Sequence, residues 1–424
     1  MKKVFVLSFA CAGFFSNAQS LGNSPYAAFG IGDVKYDNTV DITSMGGIST
    51  AYISDFSNSF NFKNPAANTN LQLSSLKIEA TNENNYYKSN FGNVNTSKHA
   101  TYLSNISIAF PISKNVKFGL GYQPYSSKLY SVIVTDDTNG EDTNFYSYIG
   151  KGTLSTVQTA VSYQISSDFA LGLRTNFYFG NLYDINEVIT TKSELINGYE
   201  TRFRIKTFNF TLGTTYQKKL ERDRKLTLGA TYSFGNTGEM RNFYTNSTYF
   251  YTAEGIKANV STIDYQESRD KQLIPMEFSF GAGYGSDLRW FAGAQIDYKK
   301  GENIQVLGQP FEYQNSYKIS GGGWFIPNRN NFRNYFSRVT YRYGAYYEKG
   351  NLNINNTDVN KFAVTAGMTL PFSNVGASRL SSMDIGLEFG KRGTLKNDLV
   401  NQTFFNVRIG INFADRWFQK ALYD

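Results

Sequence analysis

Residues 168–180 read DFALGLRTNFYFG, and their side chains sort by parity into two classes. Phe169, Leu171, Leu173, Thr175, Phe177 and Phe179 share one parity, while Gly172, Arg174, Asn176, Tyr178 and Gly180 share the other. Successive side chains of a strand point to opposite faces, so this segment is a strand with one apolar face and one small or polar face. Phe405, Val407, Ile409, Ile411 and Phe413, alternating with Asn406, Arg408, Gly410 and Asn412, repeat the scheme near the C-terminus. Shorter sets follow it as well: Val116 to Tyr122, Ile274 to Phe280, Trp290 to Tyr298 and Phe362 to Leu370. Strands of this length exceed the five or six residues usual in soluble sheets.

Composition says which solvent the apolar face meets. After residue 20 there is no run of 18 or more apolar residues, which excludes membrane-spanning helices. Yet aromatic residues make up 16% of the chain, with 31 Tyr and 35 Phe against 8 Pro. Alternating strands hide apolar surface from window averages, as membrane barrels do. The alternation predicts an all-β fold, a transmembrane antiparallel β-barrel of about fourteen strands. The expected spans are 71–81, 99–111, 115–125, 153–165, 168–181, 200–217, 225–237, 271–285, 288–300, 312–323, 334–347, 361–371, 380–392 and 402–413. The connections alternate in length. Those at 82–98, 126–152, 182–199 and 238–270 are long and rich in Asn, Asp, Thr and Tyr, whereas 112–114, 166–167 and 286–287 are tight. With both ends in the periplasm, the long ones are extracellular loops. One segment breaks parity, since Phe203 and Ile205 differ from Phe208, Phe210 and Leu212; a β-bulge near Lys206 or Thr207 is the expected cause.

Three spans of chain are expected. Residues 1–18 read as a signal peptide: Lys2 and Lys3, an apolar run from Val4 to Phe15, and small residues before a cleavage after Ala18. Cys11 lies within that run, with Ser8 where lipidation favours leucine, so lipid attachment is disfavoured. Residues 19–70, rich in Gly, Asn and Ser and without sustained period, are expected to fold into the lumen as a hatch or plug, and 71–424 to form an outer-membrane barrel. The lumen-facing polar candidates are Arg174, Glu277, Arg338, Arg342, Glu388 and Arg408, with Asp297 and Asp384 on the same faces. Both signs occur there, and paired charges are the form in which a narrow interior retains them most easily.

No catalytic function is expected. The mature chain has no Cys and its one histidine, His99, sits at the edge of an external connection, so a general base and a zinc site both lack material. No cofactor or metal is expected. Setting aside Lys2 and Lys3, 40 basic residues face 34 acidic ones without any basic run, which argues against a nucleic-acid partner. Gly281, Gly283, Gly285 and Gly321 to Gly323 lie in strands; inward glycines would thin the wall or let the hatch approach.

Met45-Gly46-Gly47, a small-residue stretch through Asp55, and Asn64-Pro65-Ala66 just ahead of the first strand resemble the hatch of FadL-type outer-membrane transporters of long-chain fatty acids and other hydrophobic compounds. The run Val407 to Phe418, ending Asp415-Arg416-Trp417-Phe418, is similar to the ends of many barrels of this kind. The resemblance implies that a small hydrophobic ligand enters from outside, meets a hatch positioned by Asn64, Pro65 and Ala66, and leaves sideways through the wall. The connection 238–270 departs from it, being polar apart from residues such as Tyr249, Phe250 and Tyr251. Two function classes stand: passive uptake of small hydrophobic molecules, and a binding or assembly subunit of an outer-membrane complex, such as the FadL-like barrel of a type nine secretion translocon. The expected partners are outer-membrane lipid, a small hydrophobic ligand, and proteins held by the external loops. Parted strands beside the hatch favour uptake; a sealed wall with ordered projecting loops favours assembly.

Overall fold

In a computed structural model, residues 22–416 are described except 23, 36–37, 55–57, 91–93, 137–142, 192, 302, 307–308, 332 and 373–380. The expected signal peptide, Asp55, Trp417 and Phe418 lie outside the described residues.

Fourteen antiparallel strands close into a barrel. They are β1 (Ser74–Ser89), β2 (Val94–Pro111), β3 (Val116–Ser127, continued by Tyr130–Asp136), β4 (Asn144–Gln164), β5 (Phe169–Thr190) and β6 (Ile196–Leu220). Then come β7 (Arg224–Ser233, continued by Asn236–Tyr251), β8 (Lys257–Ile274, continued by Glu277–Ser286), β9 (Trp290–Lys299) and β10 (Ser316–Phe325). The last four are β11 (Thr340–Lys349), β12 (Lys361–Pro371), β13 (Ser382–Arg392) and β14 (Val400–Asp415). β14 pairs back onto β1 from Ser74↔Asp415 to Ser89↔Val400. Closure matters because a backbone N–H or C=O left unpaired in hydrocarbon costs several kcal/mol.

The expected apolar sets face outward: Leu173, Phe208, Ile409 and Phe413 are all at least 43% exposed. Arg174, Asn176, Asn209 and Asn412 on the opposite parity are buried. What differs is the height of the wall. The connections at 82–98, 126–152, 182–199 and 238–270 are mostly paired strand rather than loop. Their Tyr, Thr, Val and Ile favour extended backbone whatever their polarity suggests.

Above the membrane the polarity inverts. From Thr201 to Tyr216 β6 alternates without interruption, so the expected bulge at Lys206 or Thr207 is absent, and β5 pairs with β6 in unbroken register from Val188↔Asn197 to Phe169↔Tyr216. Phe203 and Ile205 point inward, whereas Arg202, Arg204 and Lys206 are exposed. Below Lys206 the outside is lipid and Phe208, Phe210 and Leu212 meet it; above Lys206 the outside is water and the apolar side chains turn in. The outward apolar band of β5 and β6 therefore ends near Phe179 and Lys206, which are register partners. Ile274, expected outward with Phe278 and Phe280, is buried because the inward parity of β8 changes across the break at Pro275, from Ile274 above it to Ser279 below. Phe203, Ile205 and Ile274 pack with Tyr125, Leu154, Tyr178, Leu182 and Met240.

The segment before β1 fills the lumen. A helical turn, α1 (Val40–Thr43), carries Ile42 into a cluster with Met45, Ile48, Tyr52, Phe291, Trp324 and Ile326. Phe60, Phe62 and Leu71 pack on Ala109 and Ala160 of β2 and β4.

Candidate functional site

The segment before β1, the expected hatch, is held where side chains vanish from the wall. Gly172 of β5 and Gly213 of β6 are register partners. A Cβ on Gly172 would sit 2.4 Å from the Ala66 nitrogen, and one on Gly213 would sit 2.3 Å from the Asn64 Oδ1. Nothing larger than glycine fits there without displacing the Asn64-Pro65-Ala66 turn. Asn64 is fully buried: its side-chain amide donates to the carbonyls of Thr50 (2.6 Å) and Thr214 (3.1 Å), and its Oδ1 accepts from the Ala66 N–H (3.1 Å). Thr215 and Ser162 hydroxyls donate to the Ala66 carbonyl. Met45 is fully buried, and Gly46 and Gly47 take φ of 73° and 86°, a region that favours glycine. The Gly46 N–H donates to Thr365 Oγ1 (2.9 Å). Of the glycine series noted in the sequence, Gly281 and Gly322 face the hatch at Ala51 and Met45, while Gly321 faces nothing within 4 Å.

The inward charges are engaged with the hatch or with one another. Arg174 donates to the Phe62 carbonyl (2.9 Å) and to Thr211. Arg342 contacts Thr369, Tyr52 and Met45. Glu277 pairs with Lys63 (2.7 Å), and Glu388 with Arg408 (2.8 Å), while Tyr346 and Asn406 also donate to Glu388. Asp297 accepts from Gln295 (2.7 Å). Asp384 joins Asp41 and Glu79 around the Lys77 ammonium, at 3.2, 2.6 and 3.3 Å. The three carboxylates lie close enough together to hold a metal ion, but Lys77 supplies the positive charge at their centre. Arg338 does not face the lumen from a strand: it lies in a 3₁₀ turn, Phe336–Arg338, ahead of β11 and stacks over Tyr335. Parity was extrapolated there past the strand's start. His99, on β2, bonds Asn84 at an exposed position.

The β2–β3 ladder stops short beside the segment that fills the lumen. β2 and β3 pair only from Pro111↔Lys117 to Ile106↔Tyr122, although β2 runs on to Val94. From Gln123 to Lys128 every residue of β3 is buried, with a register shift between Pro124 and Ser126. Proline has no N–H to give a ladder, which suits the point of departure. On the edge that β3 turns away from β2, the hatch strand Asp33–Val34 pairs instead, Asp33↔Ser127 and Val34↔Ser126. Lys128 anchors the kink on Asp184 (2.5 Å) and on the Gly30 carbonyl (3.1 Å). Arg392 and Lys35 hold Asp33 from the other side, at 2.6 and 3.0 Å, and Lys35 also reaches Glu83 (2.7 Å). Burial alone would raise the Asp33 pKa, but these two cations outweigh it and keep the carboxyl well below the usual carboxylate range. Tyr122 and Phe177 both pair with Val157, so the β2–β3 ladder ends two residues below Phe179, just inside the outward apolar band.

Behind the hatch strand lies a cavity of about 300 Å³, lined by Phe29, Ile31 and Val34 of the hatch and by charged wall residues. Asp297, Lys318, Glu348, Lys361 and Arg392 stand in one cross-strand row of direct register partners. The charges alternate for four positions, so the lumen above the hatch is a polar chamber, and the apolar cluster of Phe203 and its neighbours lies to the side of the parting. The Pro124 break and the polarity inversion were both present in the sequence. The signals were a proline inside a strand and a parity change without a turn.

A search of curated proteins finds no match. Solved structures share the fold at low identity. The P. putida toluene transporter TodX aligns over 92% of this chain and 100% of its own, with 16% identity and TM-score 0.58. The Ralstonia pickettii toluene transporter TbuX aligns over 92% and 99%, with 14% identity and TM-score 0.55. The CymD monoaromatic hydrocarbon channel aligns over 90% and 99%, with 13% identity and TM-score 0.57. The resemblance to FadL-type barrels therefore holds for the fold. Sequence places the chain more narrowly, since the family model described as BamG matches residues 1–424, and this chain belongs to the BamG family.

Proposed function

We propose that the protein is an outer-membrane barrel through which a small hydrophobic molecule passes sideways, between the outer surface and the bilayer, with residues 19–70 serving as a hatch. One observation carries the reading: the β2–β3 ladder ends at Ile106–Tyr122, and among the described residues the freed edge of β3 is taken by the short strand Asp33–Val34 and the Lys35 N–H. The alternating charges of the cavity disfavour an apolar passenger on the barrel axis, because charged groups lose solvation against it. The side path runs instead along the apolar cluster that includes Tyr125 and Phe203. Proteins of the same fold described as hydrocarbon channels support this reading. Hatch-strand movement is its test. Val34→Cys with Ser126→Cys places two thiols on register partners in a chain whose other cysteine is Cys11. In proteoliposomes with toluene as probe, oxidation should abolish uptake and reduction should restore it. Equal uptake in both states would remove the hatch strand from the path.

A second reading, an assembly subunit, is favoured by a different observation. Six strands rise above the membrane boundary as an open sheet, from the Tyr130–Asp136 part of β3 through β4, β5, β6 and β7 to the Lys257–Ile274 part of β8.

A further inference from the structure

We infer that the outward face of β6, β7 and β8, immediately above the apolar band, binds the phosphorylated headgroup of a glycolipid in the outer leaflet. Arg204 of β6 and Arg241 of β7 are direct register partners, and Arg241 is in turn the partner of Arg269 on β8. Partners in an antiparallel ladder project from the same face, and all three arginines are exposed, whereas Phe203, Ile205, Met240 and Asn242 beside them in sequence are buried. Three guanidinium groups thus stand side by side on strands roughly 5 Å apart. Like charges directly opposite one another destabilise a sheet, so an anion that bridges them is favoured. On β5 the row continues to Asn181, and it contains no carboxylate. Two residues higher on each strand are Arg202, Phe243 and Glu267, with the Arg202 guanidinium 4.3 Å from the centre of the Phe243 ring. Two residues lower are Lys206, Glu239 and Lys271. The three rows therefore carry an excess of basic residues around the central arginines.

Height decides what the anion belongs to. The arginine row lies two residues above Lys206, where the outward apolar band ends, and so at headgroup level. Below it on the same three strands, Phe208, Phe210, Phe234 and Phe278 point outward and are each at least 42% exposed. A lipid whose phosphate rests on the arginines lays its acyl chains over these rings, a contact that a free phosphate or an acidic protein loop cannot make. Arginine is the cation suited to the task, because its planar fork meets two phosphate oxygens at once. The row spans roughly 10 Å across three strands, a width that fits a phosphorylated sugar better than one inorganic phosphate.

Lipid A, a phosphorylated disaccharide lipid, and the same lipid after phosphatase treatment are the probes, titrated onto the detergent-solubilised full chain and read by native mass spectrometry. The phosphorylated form should bind roughly tenfold or more tightly than the dephosphorylated one, the worth of one or two charge-assisted hydrogen bonds. Arg204→Gln with Arg241→Gln should abolish that preference while the heat-modifiable gel shift of the closed barrel persists. Without lipid, the double variant should unfold at the same temperature as the parent or higher, since a repulsion has been removed; a lower midpoint would mean that the arginines hold the sheet and would overturn the inference. Equal binding of the two lipids by the unsubstituted chain, a comparison that needs no variant, would overturn it as well, as would a phosphate preference that survives the double substitution. Displacement of lipid A by an equal concentration of inorganic phosphate would assign the row to a free anion and exclude the lipid.

Discussion

Replacing Gly172 by alanine should loosen the hatch without harming the barrel. The new Cβ would lie 2.4 Å from both the Ala66 nitrogen and the Pro65 carbonyl carbon. Those are backbone atoms, so the turn must retreat by about 1 Å to reach ordinary contact, and overpacking of this kind costs about 1–3 kcal/mol. Retreat also strains the Asn64 bonds to Thr50, Thr214 and Ala66, which depend on the same placement. Gly213→Ala presses on the same turn from the adjacent strand, so the double variant should not add simply. The assay is hydrogen exchange of the full chain in lipid vesicles. Amides of residues 58–71 should exchange roughly five- to a hundredfold faster, the rate equivalent of that destabilisation, while β13 and β14 amides stay protected. Gly321→Ala is the control, because its Cβ meets nothing within 4 Å. Unchanged exchange at 58–71 in Gly172→Ala would refute the claim that glycines in the wall seat the hatch.

Further expectations follow from the same geometry. Leu173 lies near the middle of the outward run from Phe169 to Phe179, so Leu173→Arg should cost about 2–4 kcal/mol of folding free energy in lipid, measured by urea titration in vesicles; the inward Asn176→Asp should cost far less, and equal costs would contradict the assigned faces. Lys77→Met removes the cation from among Asp41, Glu79 and Asp384 and should destabilise by about 3–5 kcal/mol in the same titration. Loss of much less would mean that these carboxylates find another counter-charge. Asn64→Ala should cost about 1–3 kcal/mol by leaving the buried Thr50 carbonyl without its donor, read as a lowered thermal midpoint.

The sequence announced the barrel because a period of two survives any exchange of one apolar residue for another: Phe169 to Phe179 and Phe405 to Phe413 mark outward faces without help from the rest of the chain. Asn64-Pro65-Ala66 and Gly46-Gly47 stood out as turn-forming residues, but their wall partners, Gly172, Gly213 and Gly344, lie far away in the chain. Two features hid. The outward face of a strand is not apolar at every height, so Phe203 and Ile205 mimic a bulge, and the inward parity of β8 changes at Pro275, which buries Ile274. The contacts that seat the hatch, Lys77 with Asp41 or Arg392 with Asp33, join residues 36 and 359 positions apart. No local spacing records such pairs. Arg338 shows the smaller hazard of counting parity beyond a strand's true start.

The account turns on which side chains meet acyl chains and where that contact stops. Single cysteines placed along residues 169–181 and 203–212, labelled with a fluorophore in vesicles containing brominated lipid, measure this directly. Quenching should alternate with period two, strong at 171, 173, 177, 208, 210 and 212 and weak at 174, 176 and 209, and should be absent at 203 and 205 despite their apolar residues. Uniform quenching, a helical period, or strong quenching at 203 and 205 would contradict both the barrel faces and the boundary at Phe179 and Lys206.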